Sequence, residues 1–347
     1  MKPTCARSEV KSILNPAAWK VFLGSICVSL SFPLLAEDCS SDDITLTSQA
    51  QVNSFKAVYG SCDFVVGNLI IKENAFSNLA GLNGLTGVGG NLGIQDISAL
   101  TSLSDLSGLT SVGGLYLRGT DSLANLTGLN NLSGSIGRIE ISRMDQLSDL
   151  TGLPASLDSV GGLLIENNDE LQSLTNLPAI ATLGSLAISE NILLADIEAL
   201  SASSFNVSFD LFPPLGAPSI IVNGNPLLGS LTGIPPVTTL RGLHISSNPL
   251  ISSLDPLSGA LEVWGGEFVV TNNSNLSDCS ALTKIVDEHD DGFPGPNDQN
   301  NGLPPDFLES NFQMYDNASG CNSIEEILDN VVDTGGVFDD GFEEPES

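Results

Sequence analysis

A segment of 23 to 25 residues recurs along most of this chain, and each copy contains one apolar triplet, usually preceded by glycine. The nine triplets begin at Leu69, Leu92, Leu115, Ile139, Leu163, Leu186, Ile220, Leu243 and Phe268. One interval, from Leu186 to Ile220, is 34 residues long and indicates an insertion. A copy of this length cannot bury its apolar side chains alone, so the repeat predicts stacked coils rather than separate globular domains.

Apolar residues alternate within each triplet, which predicts a short β-strand whose first and third side chains point inward. One such strand per coil predicts a right-handed parallel β-helix, or leucine-rich-repeat-like solenoid, of about nine coils over residues 67–279. Leucines at every third residue, as in Leu123, Leu126 and Leu129, favour 3₁₀-like or irregular turns over an α-helix.

An asparagine usually lies five residues after the start of the triplet, where its amide would satisfy backbone groups of the neighbouring coil in a buried turn. The asparagines at this position are Asn74, Asn168, Asn191, Asn225, Asn248 and Asn273. We expect them to form a structural ladder rather than a catalytic one.

Residues 1–36 have the pattern of a secretory signal peptide, with a basic first part, an apolar run from Val21 to Ala36 and a cleavage point before Glu37. The alternative is a retained anchor helix. Because no other apolar stretch approaches 18 residues, we expect a secreted or cell-surface protein that is not inserted in a membrane after cleavage.

Four cysteines would remain after cleavage, and they lie at the two ends of the repeat. We expect the local pairs Cys39–Cys62 and Cys279–Cys321, because the repeat separates the two pairs widely and the compartment is oxidising. The pairs indicate an N-terminal cap at 37–66 and a C-terminal cap at 280–322. An acidic tail at 323–347 follows, with a short helix from a capping box at Ser323. Zinc is the weaker alternative, since no CxxC motif is present.

The chain carries a net charge of −31, which excludes nucleic-acid binding through a basic surface. Only two histidines are present, His244 and His289, and neither lies in a nucleophile motif. We therefore expect no enzyme activity and no cofactor.

The segment from Tyr59 to Ile71, with Cys62 followed by Gly67-Asn68-Leu69, and the later Val-Gly-Gly lead-ins resemble the receptor L domain. That domain is the ligand-binding solenoid of insulin and epidermal growth factor receptors and also occurs in secreted bacterial proteins. The resemblance covers residues 39–285 and implies a disulfide-capped solenoid that binds through its surface. The end of the chain, from Phe338 to Glu343, resembles tails of secreted proteobacterial proteins.

The middle residues of the triplets should form an outward row on the sheet. They are Ile70, Gly93, Tyr116, Glu140, Leu164, Ala187, Ile221, His244 and Val269. All except Gly93 and Ala187 are candidate ligand-binding residues, because an exposed row of apolar and aromatic side chains suits a partner. The alternative is that flanking polar residues or the inserted segment cover the row.

The inserted segment, residues 201–218, concentrates Phe205, Phe209 and Phe212. Inserted loops of repeat proteins often bind ligands, which makes these rings a second candidate site. The alternative is a local apolar core that closes an enlarged coil.

The region 287–302 is rich in carboxylate and amide oxygens, which are the ligands that calcium prefers. Asp287, Asp290, Asp291 and Asp298 are the candidate calcium ligands. Their spacing does not match an EF-hand, and a solvated acidic loop is the alternative.

The resulting expectation is a non-catalytic binding or adhesion protein for a protein or glycan at a cell surface. A structural envelope protein without a specific ligand is the first alternative. A polysaccharide-active enzyme, which would need two carboxylates about 5 to 10 Å apart, is the second.

Overall fold

The structure is a computed structural model. The structure describes residues 43–60, 62–73, 76–205, 219–260, 262–263, 268–283, 285 and 312–333. All of the described residues lie in one compact unit of the chain.

One open sheet of twelve strands, in which all the pairings are parallel, dominates the described residues. Eleven strands follow one another along the sheet in chain order: Ile44–Leu46, Leu69–Lys72, Gly87–Gln95, Ser111–Arg118, Ile139–Ser142, Leu163–Glu166, Leu186–Ser189, Ser219–Asn223, Gly242–Ser246, Phe268–Thr271 and Phe312–Tyr315. The twelfth, Phe64–Val65, pairs beside Gly87–Gln95. We call the segment from the start of one triplet to the start of the next a coil.

The strands form where the triplets predict them, and the alternation of burial explains why. In Leu163–Glu166 the first and third residues are buried, while Leu164 and Glu166 are half-buried. Successive strands pair in a register that places each triplet directly beside the next one. Every coil therefore adds its inward side chains to one continuous apolar core.

The leucines that recur at every third residue complete this core. Leu123, Leu126 and Leu129 are all fully buried although they lie in turns rather than in a helix. The 3₁₀-helices are Ala80–Leu82, Ser104–Leu106, Glu198–Ala202, Asp255–Leu257 and Ser280–Leu282. Short strand pairs join further turns: Ser135–Ile136 with Ser159–Val160, Ser156–Leu157 with Ala179–Ile180, and Thr239–Leu240 with Glu262–Val263. The prediction of 3₁₀-like and irregular turns is confirmed.

The asparagine ladder is confirmed for every predicted member in the described residues. Asn168, Asn191, Asn225, Asn248 and Asn273 are fully buried. Each side-chain Oδ1 accepts the backbone N–H at the same position of the preceding coil, at 3.0 or 3.1 Å. Each side-chain amide donates to a strand carbonyl of a preceding coil. Asn74 lies outside the described residues.

The ladder continues further than the triplet pattern predicts. Asn317 accepts from the Asn273 backbone N–H at 3.1 Å and donates to the Val270 carbonyl oxygen at 2.7 Å. The Asn317 N–H donates in turn to Asn322 Oδ1 at 2.8 Å. The last strand therefore belongs to the same stack, although it begins 44 residues after Phe268.

Both ends of the repeat carry additional elements. At the N-terminal end, Ile44–Leu46 adds a strand, and the short helices Gln49–Asn53 and Phe55–Tyr59 follow it, with Val52 and Phe55 buried. The sheet thus has one more strand at each end than the nine triplets predict. These two strands lie in the segments that the sequence assigned to the caps.

The C-terminal end confirms one predicted disulfide, Cys279–Cys321, with a Cα–Cα distance of 5.7 Å. Cys62 is also disulfide-bonded. Its predicted partner, Cys39, lies outside the described residues. The predicted helix start at Ser323 is confirmed, because the Ser323 hydroxyl accepts the Glu326 backbone N–H at 3.2 Å ahead of the helix Ile324–Asp333. The Glu326 carboxylate, however, accepts from the Gly320 and Asn322 backbone N–H groups rather than from that of Ser323.

Among the helices of the described ranges, none is long and apolar enough to cross a lipid bilayer. Three predicted features fall outside those ranges: the signal peptide predicted at 1–36, the segment 286–311 with the calcium candidates, and the end of the acidic tail.

Candidate functional site on the outer face of the sheet

The predicted outward row is a continuous line of directly paired residues. Ile70 pairs with Gly93, which pairs with Tyr116, and the register continues without a slip through Glu140, Leu164, Ala187, Ile221, His244 and Val269. Thr45 extends this row at one end and Gln313 at the other. Eleven strands therefore contribute one residue each to a single line, and all of these residues except Gly93 carry a side chain.

The members of the row differ in exposure. Ile221 is 37% exposed, whereas Ile70, Tyr116, Glu140, Leu164 and His244 are half-buried. Val269 is only 7% exposed, so it was wrongly expected to present an accessible side chain. Among the predicted members, the accessible part of the row therefore runs from Ile70 to His244, and Thr45 and Gln313, which extend the row, are exposed.

Tyr116 lies low on the sheet rather than projecting from it. A Cβ atom on Gly114 would lie 2.9 Å from Tyr116 Cε2, so the absence of a side chain at Gly114 makes room for the ring. Gly93, the neighbour of Tyr116 in the row, makes room in the same way for Ile70, because a Cβ atom on Gly93 would lie 2.9 Å from Ile70 Cδ1. The ring is thereby held against the backbone as a flat apolar surface with a phenolic hydroxyl.

A first polar cluster surrounds Glu140. The Arg138 Nε atom lies 3.6 Å from Glu140 Oε2, and the Ser142 hydroxyl is 3.4 Å from Glu140 Oε1. The Glu140 side chain is 17% exposed and that of Arg138 is 48% exposed. The cluster therefore offers a charged group of each sign to a ligand on this face.

A second polar cluster surrounds His244. The Ser246 hydroxyl donates to Asn223 Oδ1 at 2.7 Å, and His244 Nε2 lies 2.9 Å from the same hydroxyl oxygen. Because that hydroxyl hydrogen is used toward Asn223, the oxygen is left to accept from His244 Nε2–H. In this tautomer His244 Nδ1 is a hydrogen-bond acceptor, and it has no bonding partner among the described residues.

The two clusters are separated by apolar residues. Leu164, Ala187 and Ile221 occupy the three positions of the row between Glu140 and His244. With about 4.8 Å between neighbouring strands, the two polar clusters lie on the order of 19 Å apart. The face can thus bind an apolar group centrally and polar groups at both sides.

The inserted segment contributes less than expected. Phe205 is 6% exposed and belongs to the continuous apolar core, where it forms a β-bridge with Leu183. It is a core residue rather than a ligand-binding ring, in agreement with the alternative of a local core. Phe209 and Phe212 lie outside the described residues.

Several acidic side chains have a structural role in the turns. Asp149, Asp196 and Asp278 each accept, through Oδ1, the backbone N–H two residues later. The same turn hydrogen bond is accepted at the equivalent position of other coils by a side-chain amide or hydroxyl oxygen. The residues are Asn125, Ser102, Ser173, Ser230 and Ser253. The Ser280 side-chain hydrogen bond is the main cause that lowers the pKa of Asp278. These carboxylates close turns.

A polar cleft of about 480 Å³ lies beside the sheet, where the sequence predicted no site. Asp96, Gly119, Asp121, Arg143 and Asp145 line it together with Ser98 and Asn167. Arg143 Nη2 reaches Asp96 Oδ1 at 2.9 Å across the intervening coil. Gly119 lies between them, and a Cβ atom there would come within 2.7 Å of Asp96 Oδ1.

The predicted calcium site lies in a part of the chain that the structure does not describe. Asp287, Asp290, Asp291 and Asp298 lie outside the described residues, as does His289. In the part of the chain that the structure describes, no group of three or more His, Cys, Asp or Glu side chains is arranged to hold a metal ion.

Comparisons with known proteins found no relative: no family model, no curated protein and no solved structure matches this chain. The resemblance to the receptor L domain therefore rests on the sequence motifs alone.

Proposed function

We propose that this chain is a secreted or cell-surface, non-catalytic binding protein that recognises a protein or glycan through the outer face of its parallel sheet. Its architecture in this proposal is a right-handed solenoid of the receptor L type, closed at both ends by disulfide-bonded caps. The parallel register, the asparagine ladder and the Cys279–Cys321 bond support this architecture.

The observation that carries the proposal is the chemistry of the outward row. Tyr116 supplies a flat ring, Glu140 and His244 supply polar groups, and Leu164 and Ile221 supply apolar surface between them. Between Glu140 and His244 the row stays accessible at Ile221, which is 37% exposed. A rigid sheet that presents an apolar centre between polar groups suits the recognition of one extended ligand.

The proposal does not assign a catalytic step to His244 or Ser246. Although these side chains lie 2.9 Å apart, the Ser246 hydroxyl donates to Asn223 and the residue is 6% exposed. A nucleophilic serine would instead donate its proton to the histidine and face the substrate.

The experiment is a capture assay on a glycan array and on labelled cell-surface proteins. A Tyr116→Ala, His244→Ala double variant is compared with the wild type and with a control variant, Val58→Ala with Glu198→Ala, whose exposed side chains lie outside the main sheet. Circular dichroism establishes that all three proteins fold.

Retention of the same ligand by the wild type and the control, but not by the double variant, is the expected result. Equal retention by all three proteins would contradict the proposed face. A folded wild-type protein that retains nothing from either source would favour a structural envelope role instead.

A further inference from the structure

A second surface lies at the turn that follows the ladder position, where each coil leaves the sheet. We call the residues at the first two positions after the ladder position the corner strip. Three consecutive coils place acidic residues there: Asp121, Asp145, Asp169 and Glu170. The next three place large apolar residues there, and the exposed ones are Ile192, Leu227 and Leu250.

The ladder shows that these turns are stacked in one line. The Met144 N–H donates to Asn168 Oδ1, the Asn168 N–H to Asn191 Oδ1, and the pattern continues to Asn225 and Asn248, each at 3.1 Å. Each member of the corner strip from Asp145 to Leu250 directly follows one of these residues or comes one residue later. Asp121 joins the line because it lines the same cleft as Asp145.

The apolar half of the strip is exposed to an unusual extent for this chain. Ile192 is 48% exposed, Leu227 is 45% exposed and Leu250 is 44% exposed. Only seven large apolar side chains of the described residues are exposed, and three of them lie in this half. The core does not require them, since Leu194, Leu228 and Ile251 in the same turns are fully buried. Exposed apolar side chains that the core does not use are typical of an interaction surface.

The acidic half keeps an excess of negative charge. Asp145, Asp169 and Glu170 are exposed, and Glu166 ends the strand three residues before Asp169. The neighbouring cation Arg143 is already engaged with Asp96 at 2.9 Å. The strip therefore has one acidic end and one apolar end, over six coils or about 24 Å.

We propose that the corner strip binds a polypeptide that carries a run of basic residues next to a run of apolar residues. The charge of the acidic half selects the basic run, and Ile192, Leu227 and Leu250 receive the apolar run. An extended peptide of about seven or eight residues matches this length at roughly 3.3 Å per residue. The apolar half alone would also suit a lipid surface. The negative charge of the acidic half would be repelled by anionic lipids, which favours a polypeptide.

The test uses a fluorescent peptide with four consecutive lysines followed by four consecutive leucines. A peptide of the same composition with the two residue types interleaved is the matched probe. Affinities for the full protein are measured by fluorescence anisotropy. The variants are Leu227→Ser with Leu250→Ser, Asp145→Asn with Asp169→Asn, and a control with Val58→Ser and Val66→Ser, which removes exposed apolar residues elsewhere.

The block peptide is expected to bind more tightly than the interleaved one. The leucine variant should weaken its binding about tenfold through the loss of apolar contact. The aspartate variant should weaken it about fivefold and reduce its dependence on salt. The control should bind as the wild type does. Because every substituted residue is exposed, folding is expected to be retained and is checked by circular dichroism.

Equal binding of the two peptides, no binding of either, or an unchanged affinity in both corner-strip variants would overturn the proposal. Sedimentation velocity tests whether the corner strip instead binds a second copy of this chain. If the wild type self-associates and the leucine variant is monomeric, the strip binds a second copy of this chain and the peptide assignment is wrong. None of these results depends on the outer face of the sheet, which is tested separately.

Discussion

The Oδ1 atom of Asn191 accepts hydrogen bonds from both the backbone N–H and the side-chain amide of Asn168, each at 3.1 Å. The Asn191 amide in turn donates to the Ile165 carbonyl oxygen at 3.1 Å. One buried side chain thereby satisfies backbone groups that would otherwise lose water without a replacement. The same hydrogen bonds recur between successive ladder asparagines from Asn168 to Asn317. The ladder therefore joins neighbouring coils in the interior, in addition to the hydrogen bonds of the sheet.

Replacing Asn191 by alanine is expected to lower the free energy of unfolding by about 2 to 4 kcal/mol, because it removes the oxygen that accepts both the buried backbone N–H and the side-chain amide of Asn168. Urea denaturation followed by circular dichroism measures the change. Asn275→Ala, at an exposed position, is the matched control and should have little effect. Equal stability of the two variants would show that the ladder does not hold the coils together.

Thr120 occupies the ladder position of its coil, in a part of the repeat where Ile97 and Met144 hold this position in the two neighbouring coils. It is fully buried, and its Oγ1 atom has no hydrogen-bond partner among the described residues. Thr120→Val is therefore expected to leave the protein as stable as the wild type, or more stable by up to about 1 kcal/mol.

The contrasting variant is Ser203→Ala. Ser203 Oγ accepts the buried Ile180 N–H at 3.2 Å, so this variant should be less stable than the wild type. Thermal unfolding ranks the three proteins. A loss of stability in Thr120→Val as large as in Ser203→Ala would contradict the prediction.

Glu326 links the last helix to the end of the ladder. Its Oε2 atom accepts the backbone N–H groups of Gly320 at 2.7 Å and Asn322 at 3.1 Å. These backbone hydrogen bonds, that of Asn322 most strongly, lower the pKa of Glu326 in the folded state. A lowered pKa gives stability that is present above the ordinary value of 4.5 and is lost as the pH falls through the folded-state value.

Glu326→Gln should therefore flatten the decrease in stability below about pH 4.5. Melting temperatures between neutral and acidic pH measure this effect. Glu170→Gln, which removes an exposed carboxylate from a turn, is the control. A pH dependence of Glu326→Gln that matches the wild type would show that this carboxylate does not contribute.

Much of the fold could be predicted from the sequence because it depends on local periodicity. The triplets, the ladder from Asn168 to Asn273 and the capping box at Ser323 are all patterns within one coil or one turn. The strand Ile44–Leu46 lies 25 residues before Leu69, but acidic residues precede it instead of the glycine lead-in. The strand Phe312–Tyr315 follows a gap of 44 residues, which hides it from a search for a fixed period.

The chemistry of the outer face was less predictable, because it depends on contacts between coils. The alternation predicts His244 as an outward residue, but its connection through Ser246 to Asn223 depends on the register of two strands 23 residues apart. The ion pair between Arg143 and Asp96 spans the coil that contains Gly119. A side chain at Gly119 would crowd Asp96 Oδ1, and the positive φ angle there also favours glycine. Val269 satisfies the alternation and is nevertheless buried.

The central claim, that the outer face of the sheet binds the ligand, is tested most directly by photo-crosslinking from within the row. Ile221, the most exposed of the candidate row residues, is replaced by a photoreactive phenylalanine analogue, and Val58, which is 57% exposed outside the sheet, receives the same analogue as the control. The ligand is the one that the wild type retains in the capture assay. Crosslinking from position 221 and not from position 58 is the predicted result. Crosslinking from position 58 alone, or from neither position while both proteins retain the ligand, would contradict it.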